Sequence, residues 1–137
     1  MKGIYAVLLS AVVVFSVTPI AAHHSFAAEY DEQKPVTLKG TLTKVEWVNP
    51  HGWIHIDVKG ADGKVENWAI ETGAPNALVR RGMRKSDFPV GLAVTVVGFR
   101  AKNGTLTANG RTVTTPDGKS FYAGSSGGDV PKDGAGR

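Results

Sequence analysis

The sequence predicts a mainly β domain: a small five-stranded OB-like β-barrel with one short helix between strands 3 and 4. Three observations point to it. Short runs alternate apolar and polar residues at period two, as half-buried strands do. Clusters rich in Gly, Asn and Asp separate those runs and read as turns. The period changes once, after the third run, to a helical one. Five strands, a helix after the third and a bulged first strand follow the order of an OB-type barrel.

The first strand begins at Pro35, where Val36, Leu38, Gly40 and Leu42 alternate with Thr37, Lys39 and Thr41. The apolar phase then slips by one to Val45 and Trp47, which a β-bulge explains. Asn49-Pro50 ends the strand, because proline has no donor for a central ladder. The second strand, Gly52 to Lys59, sets Ile54, Ile56 and Val58 on one face and His51, Trp53, His55 and Asp57 on the other. A turn at Gly60-Ala61-Asp62-Gly63 returns the chain into a third strand, Val65 to Glu71, as a hairpin. Between Gly73 and Arg84, Pro75 starts one short helix and Gly82 stops it. After a turn through Ser86 to Pro89, the fourth strand covers Leu92 to Arg100. Asn103-Gly104 is a tight turn into the fifth, about Thr105 to Thr114, and Phe121 and Tyr122 add a last short pairing. Leu38, Leu42, Ile54, Ile56, Val58, Trp68, Ile70, Leu78, Val94 and Val96 supply the core, with Trp47 beside them.

Residues outside the strands divide the rest of the chain. Lys2, the apolar run Ile4 to Val17 and the small residues ending at Ala22 form a signal-peptide pattern over residues 1–22. Cleavage after Ala22 is favoured, because cleavage after Ala21 would put Pro19 at the upstream recognition position. Residues 23–34 are an N-terminal arm, 35–123 the barrel domain and 124–137 a polar, disordered tail. The expected address is the periplasm, with no integral membrane span after processing. With 16 basic and 12 acidic residues the charge excess is slight, and nothing suggests a nucleic-acid partner. Zero cysteines exclude disulfides, thiolate metal sites and a cysteine nucleophile.

His23-His24-Ser25-Phe26, Asp31, Gly40, Trp47 and Asn49-Pro50-His51 together resemble a family of small exported bacterial proteins of unknown function. Trp68, Glu71, Pro75-Asn76, Leu78, Gly82 and Gly91…Val94-Thr95-Val96…Gly98 continue the resemblance through the mature chain. Met83 departs from it, standing where a tryptophan is expected after the glycine. The resemblance implies export and a β-barrel and brings no reaction.

Function therefore has to come from side-chain chemistry. All four histidines fall in two segments, His23-His24 and His51…His55. Imidazole suits copper, which heads the divalent affinity series. Cleavage after Ala22 gives His23 a free amine that chelates together with its ring. Cleavage after Ala21 makes His24 the third residue of a planar Cu(II) site. The expected metal set is His23, His24 and His51. His51 and His55 lie ~13 Å apart on a strand, too far to share an ion.

The alternative is a ligand- or protein-interaction domain using Trp53, His55 and the basic cluster Arg80, Arg81, Arg84 and Lys85. Its partner would be an unknown small ligand, a periplasmic protein, a glycan or another anionic ligand. Catalytic motifs are missing: no Gly-x-Ser-x-Gly elbow and no phosphate loop. Glu71 and Asp57 are candidate paired carboxylates, and Glu71 equally a helix cap. The expectation is a non-enzymatic module.

Overall fold

The computed structural model describes residues 26–125. Residues 1–25, with the expected leader, His23 and His24, and residues 126–137 lie outside them. Six strands follow in order: β1 (Tyr30–Glu46), β2 (Trp53–Lys59), β3 (Val65–Glu71), β4 (Ala93–Ala101), β5 (Thr107–Thr114) and β6 (Ser120–Tyr122). One short helix, α1 (Pro75–Arg80), and a single 3-10 turn, Lys85–Asp87, occupy the excursion between β3 and β4. Gly82 ends the helical segment at φ +85°, a conformation glycine adopts without steric cost. Among the described residues no helix is long and apolar enough to cross a membrane.

The strands form one sheet in the order β3-β2-β1-β4-β5-β6. Neighbours in that order run antiparallel. β3 also pairs in parallel with β5, through Ala69↔Thr107, Ile70↔Ala108 and Glu71↔Asn109. Hydrogen bonding thus closes a ring through β1, β2, β3, β5 and β4, with β6 added to β5. The fifth strand is therefore followed by a genuine sixth, as the Phe121-Tyr122 pairing suggested.

Two boundaries differ from the sequence reading. β1 starts at Tyr30 rather than Pro35, because Tyr30 pairs with Ala101 across polar residues that show no alternation. Gly124 and Ser125, expected in the tail, are bonded to the domain: Arg81 Nη1 donates to the Gly124 carbonyl at 2.8 Å, and Asn109 Nδ2 donates to Ser125 Oγ at 3.0 Å. The bulge falls where the apolar phase slips, with the β1–β2 register shifting between Leu42 and Lys44. The extra residue, Thr43, donates its hydroxyl to the His55 carbonyl.

Burial follows the alternation. Leu38, Leu42, Ile54, Ile56, Trp68, Ile70, Leu78, Val94 and Val96 are buried together, with Val58 and Trp47 half-buried against them. Met83, Phe88, Ala108, Val113, Phe121 and Ala123 complete the core. Phe88 and Phe121 meet edge to face with ring centroids 5.2 Å apart, closing the end under the helical excursion. Met83 is fully buried, so this position serves packing with a thioether in place of an aromatic.

Candidate functional site

The outward faces of the strands carry the polar chemistry. Register sets Glu46 opposite Trp53, Trp53 opposite Glu71, and Glu71 opposite Asn109, one row across β1, β2, β3 and β5. Glu71 holds an outward phase position, yet it is only 8% exposed. Asn109 and Tyr30 are buried with it. The residues that cover Glu71 come from the two ends of the domain. Tyr30 opens β1, and Ser125 follows β6.

A buried carboxylate must be surrounded by donors, since its desolvation is otherwise very costly. Here the Tyr30 hydroxyl donates to Glu71 Oε2 at 2.7 Å. Asn109 Nδ2 donates to Oε1 at 3.4 Å while also reaching Ser125. The third neighbour is His51, whose Nδ1 lies 3.3 Å from Glu71 Oε1 and 3.3 Å from the Thr72 carbonyl. Both atoms facing Nδ1 are acceptors, so that nitrogen carries the proton. In the neutral ring Nε2 then keeps its lone pair, and no described residue bonds it. Burial, reinforced by Glu71, pushes the Tyr30 phenol above the ordinary tyrosine range. Tyr30 therefore stays a neutral donor to the carboxylate.

Local sequence explains why His51 arrives there. The Asn49–Pro50 peptide is cis, and the chain enters β2 through Gly52, whose amide donates to the Gly73 carbonyl. Thr72 in turn donates its amide to the Gly52 carbonyl. This pair of backbone bonds fastens His51 beside the end of β3.

The arm that precedes Tyr30 is also fastened. Residues 26–29 are helical, and the Phe26 ring packs 5.7 Å from Tyr30 and 5.9 Å from Phe99. Lys102 donates through its backbone amide to the Glu29 carbonyl and through Nζ to that of Ala27.

Of the residues singled out from sequence, His51 and Trp53 come together at Glu71. His55 shares their outward face but bonds elsewhere: its Nε2 lies 3.0 Å from Glu46 Oε2. Glu46 also pairs with Lys44, and these two partners, Lys44 first, hold its carboxyl below the usual glutamate range. Arg80, Arg81 and Arg84 lie apart, in the excursion between β3 and β4. Arg81 turns inward, its guanidinium 5.0 Å from the Tyr122 ring centroid and bonded to Gly124. Arg80 and Arg84 are exposed. His23 and His24 lie outside the described residues. Among the described residues no group of three His, Asp or Glu side chains is arranged to hold a metal ion by itself.

The pairing of Glu71 with Asp57 does not occur. Register places Asp57 opposite Asn67, whose Nδ2 donates to it at 2.8 Å. Nor does Glu71 cap α1, which begins without a side-chain cap. Sequence reasoning offers Tyr30 only as a stacking surface with Trp47 and Trp53, not as a donor to Glu71, and it misses Asn109. A buried tyrosine ahead of a polar run carries no period, and Asn109-Gly110 resembles a turn although it lies within β5.

A family model described as a family of unknown function (DUF6152) matches residues 11–110. No curated protein and no solved structure matches the chain.

Proposed function

Since the chain belongs to this family of unknown function, we propose its role from its own chemistry: an exported, OB-like barrel that binds copper through His23, His24 and His51. The ring of strand pairings with α1 between β3 and β4 supports the OB-like reading. The hydrophobic leader ending in Ala21-Ala22 supports export to the periplasm.

One observation carries the metal reading, the orientation of His51. Metal-binding histidines characteristically donate one ring N–H to a carboxylate or carbonyl, which fixes the tautomer and raises the basicity of the other nitrogen. His51 has both acceptors at Nδ1, and its side chain is 40% exposed. Glu71 is the outer partner in this arrangement, itself held by Tyr30 and Asn109. The histidine pair is within reach. Five residues separate His24 from Tyr30, four of them the helical stretch 26–29 whose Phe26 ring packs 5.7 Å from Tyr30, and Tyr30 is bonded to the carboxylate that orients His51. With no cysteine in the chain, nitrogen and oxygen donors suit Cu(II).

The test is Cu(II) titration of the correctly processed chain, its N-terminus fixed by intact mass. Spectroscopy should report a nitrogen-rich site whose affinity falls on His23→Ala with His24→Ala and on His51→Gln. Glu71→Gln should weaken binding about 10–100-fold, the usual effect of losing an outer partner. Equal affinity for the processed chain and the His23→Ala, His24→Ala variant refutes the proposal.

A further inference from the structure

A second surface, on the excursion between β3 and β4, owes nothing to the histidines. Asp87 is the only acidic residue between Glu71 and Asp117, while Arg80, Arg81, Arg84 and Lys85 fall within six consecutive residues. Asp87 is already engaged, its Oδ2 accepting the Arg84 backbone amide at 3.0 Å. Elsewhere Lys34, Lys44 and Lys64 each face a carboxylate. Arg80, Arg84 and Lys85 face none among the described residues, and all three are exposed. Arg81 is the exception that organises the rest. Its bonds to Gly124 and the Tyr122 ring pin the end of α1 to the domain, so the remaining cations stand on a fixed base.

The same excursion exposes apolar side chains. Val79 is 45% and Val90 70% exposed, and Pro89 beside it is exposed too. They bracket the cations in the chain, whereas Leu78, Met83 and Phe88 from the same segment turn into the core. Exposed valines occur elsewhere, at Val48 and Val65, but here two of them flank cations that face no carboxylate among the described residues. A soluble polysaccharide would engage the cations and leave Val79 and Val90 in water. A bilayer engages both kinds of group, with phosphates meeting the cations and the apolar side chains settling below them.

We propose that the Val79–Val90 excursion docks the protein peripherally on an anionic phospholipid surface, with Arg80, Arg84 and Lys85 at the headgroups and Val79 and Val90 at the acyl boundary. The geometry involves no spanning segment. It leaves the Glu71–His51 cluster on the outward strand faces, and it does not depend on copper.

The experiment is co-sedimentation of the processed, metal-free chain with vesicles of phosphatidylcholine, with and without phosphatidylglycerol. Binding is expected only with the anionic lipid, and it should weaken as salt is raised past the point where the Debye length falls below about 10 Å. Each cation removed should cost about fivefold in partitioning, so Arg84→Ala with Lys85→Ala lowers it about 25-fold. Val79→Ser with Val90→Ser should lower it several-fold at unchanged charge, without changing retention on dextran sulfate. All four positions are exposed, and urea unfolding of each variant verifies that the fold is retained. Three results overturn the proposal: no sedimentation with anionic vesicles at low salt, wild-type binding by the double-alanine variant, or wild-type binding by the double-serine variant. The last would assign the surface to a soluble polyanion instead.

Discussion

Replacing Tyr30 with Phe tests whether the buried cluster stabilises the fold as its geometry requires. The substitution keeps the ring, its contact with Phe26 and its burial, and removes only the hydroxyl that donates to Glu71 at 2.7 Å. No cavity term therefore enters. The other neighbours of the carboxylate, Asn109 at 3.4 Å and His51 at 3.3 Å, are too long to take over the lost bond unaided. Hydrogen bonds to a charged acceptor contribute about 1.5–3 kcal/mol, so the expected loss is about 2 kcal/mol. In urea, with a slope of about 1–3 kcal/mol per M, the midpoint should fall by about 1–2 M, followed by tryptophan fluorescence. The alkaline limb gives an independent reading. Because folding raises the Tyr30 pKa, the associated stability is present below the unfolded value of about 10 and is lost as pH climbs beyond it. Tyr30→Phe should flatten that limb. A loss under about 0.5 kcal/mol, the range of an inert surface change, with an unaltered alkaline limb, would refute the reasoning.

Two further tests address the frame and the outer face. At Gly98, where the β4–β5 register shifts, an added Cβ would sit 2.1 Å from the Asn109 carbonyl oxygen and 3.0 Å from its carbon. Gly98→Ala should therefore cost about 3 kcal/mol or prevent folding, seen as a lowered thermal midpoint. The Glu46 carboxyl should titrate below the usual glutamate range by NMR, and Lys44→Ala should move it back further than His55→Ala, in the order of their influence. The favourable charge state is complete above the unfolded value and lost as pH falls through the depressed one.

Much of the fold is legible because burial on one face imposes a period. The β2–β3 hairpin, the bulge ahead of Val45 and the helix bounded by Pro75 and Gly82 all follow from local patterns. The start of β1 is not legible, since Asp31 to Lys34 are polar throughout and lie in the register shift between the pairs Tyr30↔Ala101 and Pro35↔Phe99. The site is legible in half. His51 and Trp53 draw notice by residue type and phase. The carboxylate that orients His51 comes from β3, and the hydroxyl that holds it lies 41 positions away. Such a spacing leaves no periodic trace. Glu71 even occupies a phase that reads as solvent-facing, yet Tyr30 from the start of β1 and Asn109 from β5 close around it.

The parallel join between β3 and β5 has a kinetic consequence. It rests on three residue pairs separated by 38 positions, whereas the β2–β3 hairpin closes across a short turn. Long-range pairs reward the chain only after their loop entropy is met, so this join should zip after the hairpins and fray before them. Glu71 and Asn109 are its last pair. The Glu71–His51 cluster therefore assembles at the seam of the ring. An ion held there would act as a clasp on folding, slowing hydrogen exchange at Ile70 and Ala108 more than at the β2–β3 turn.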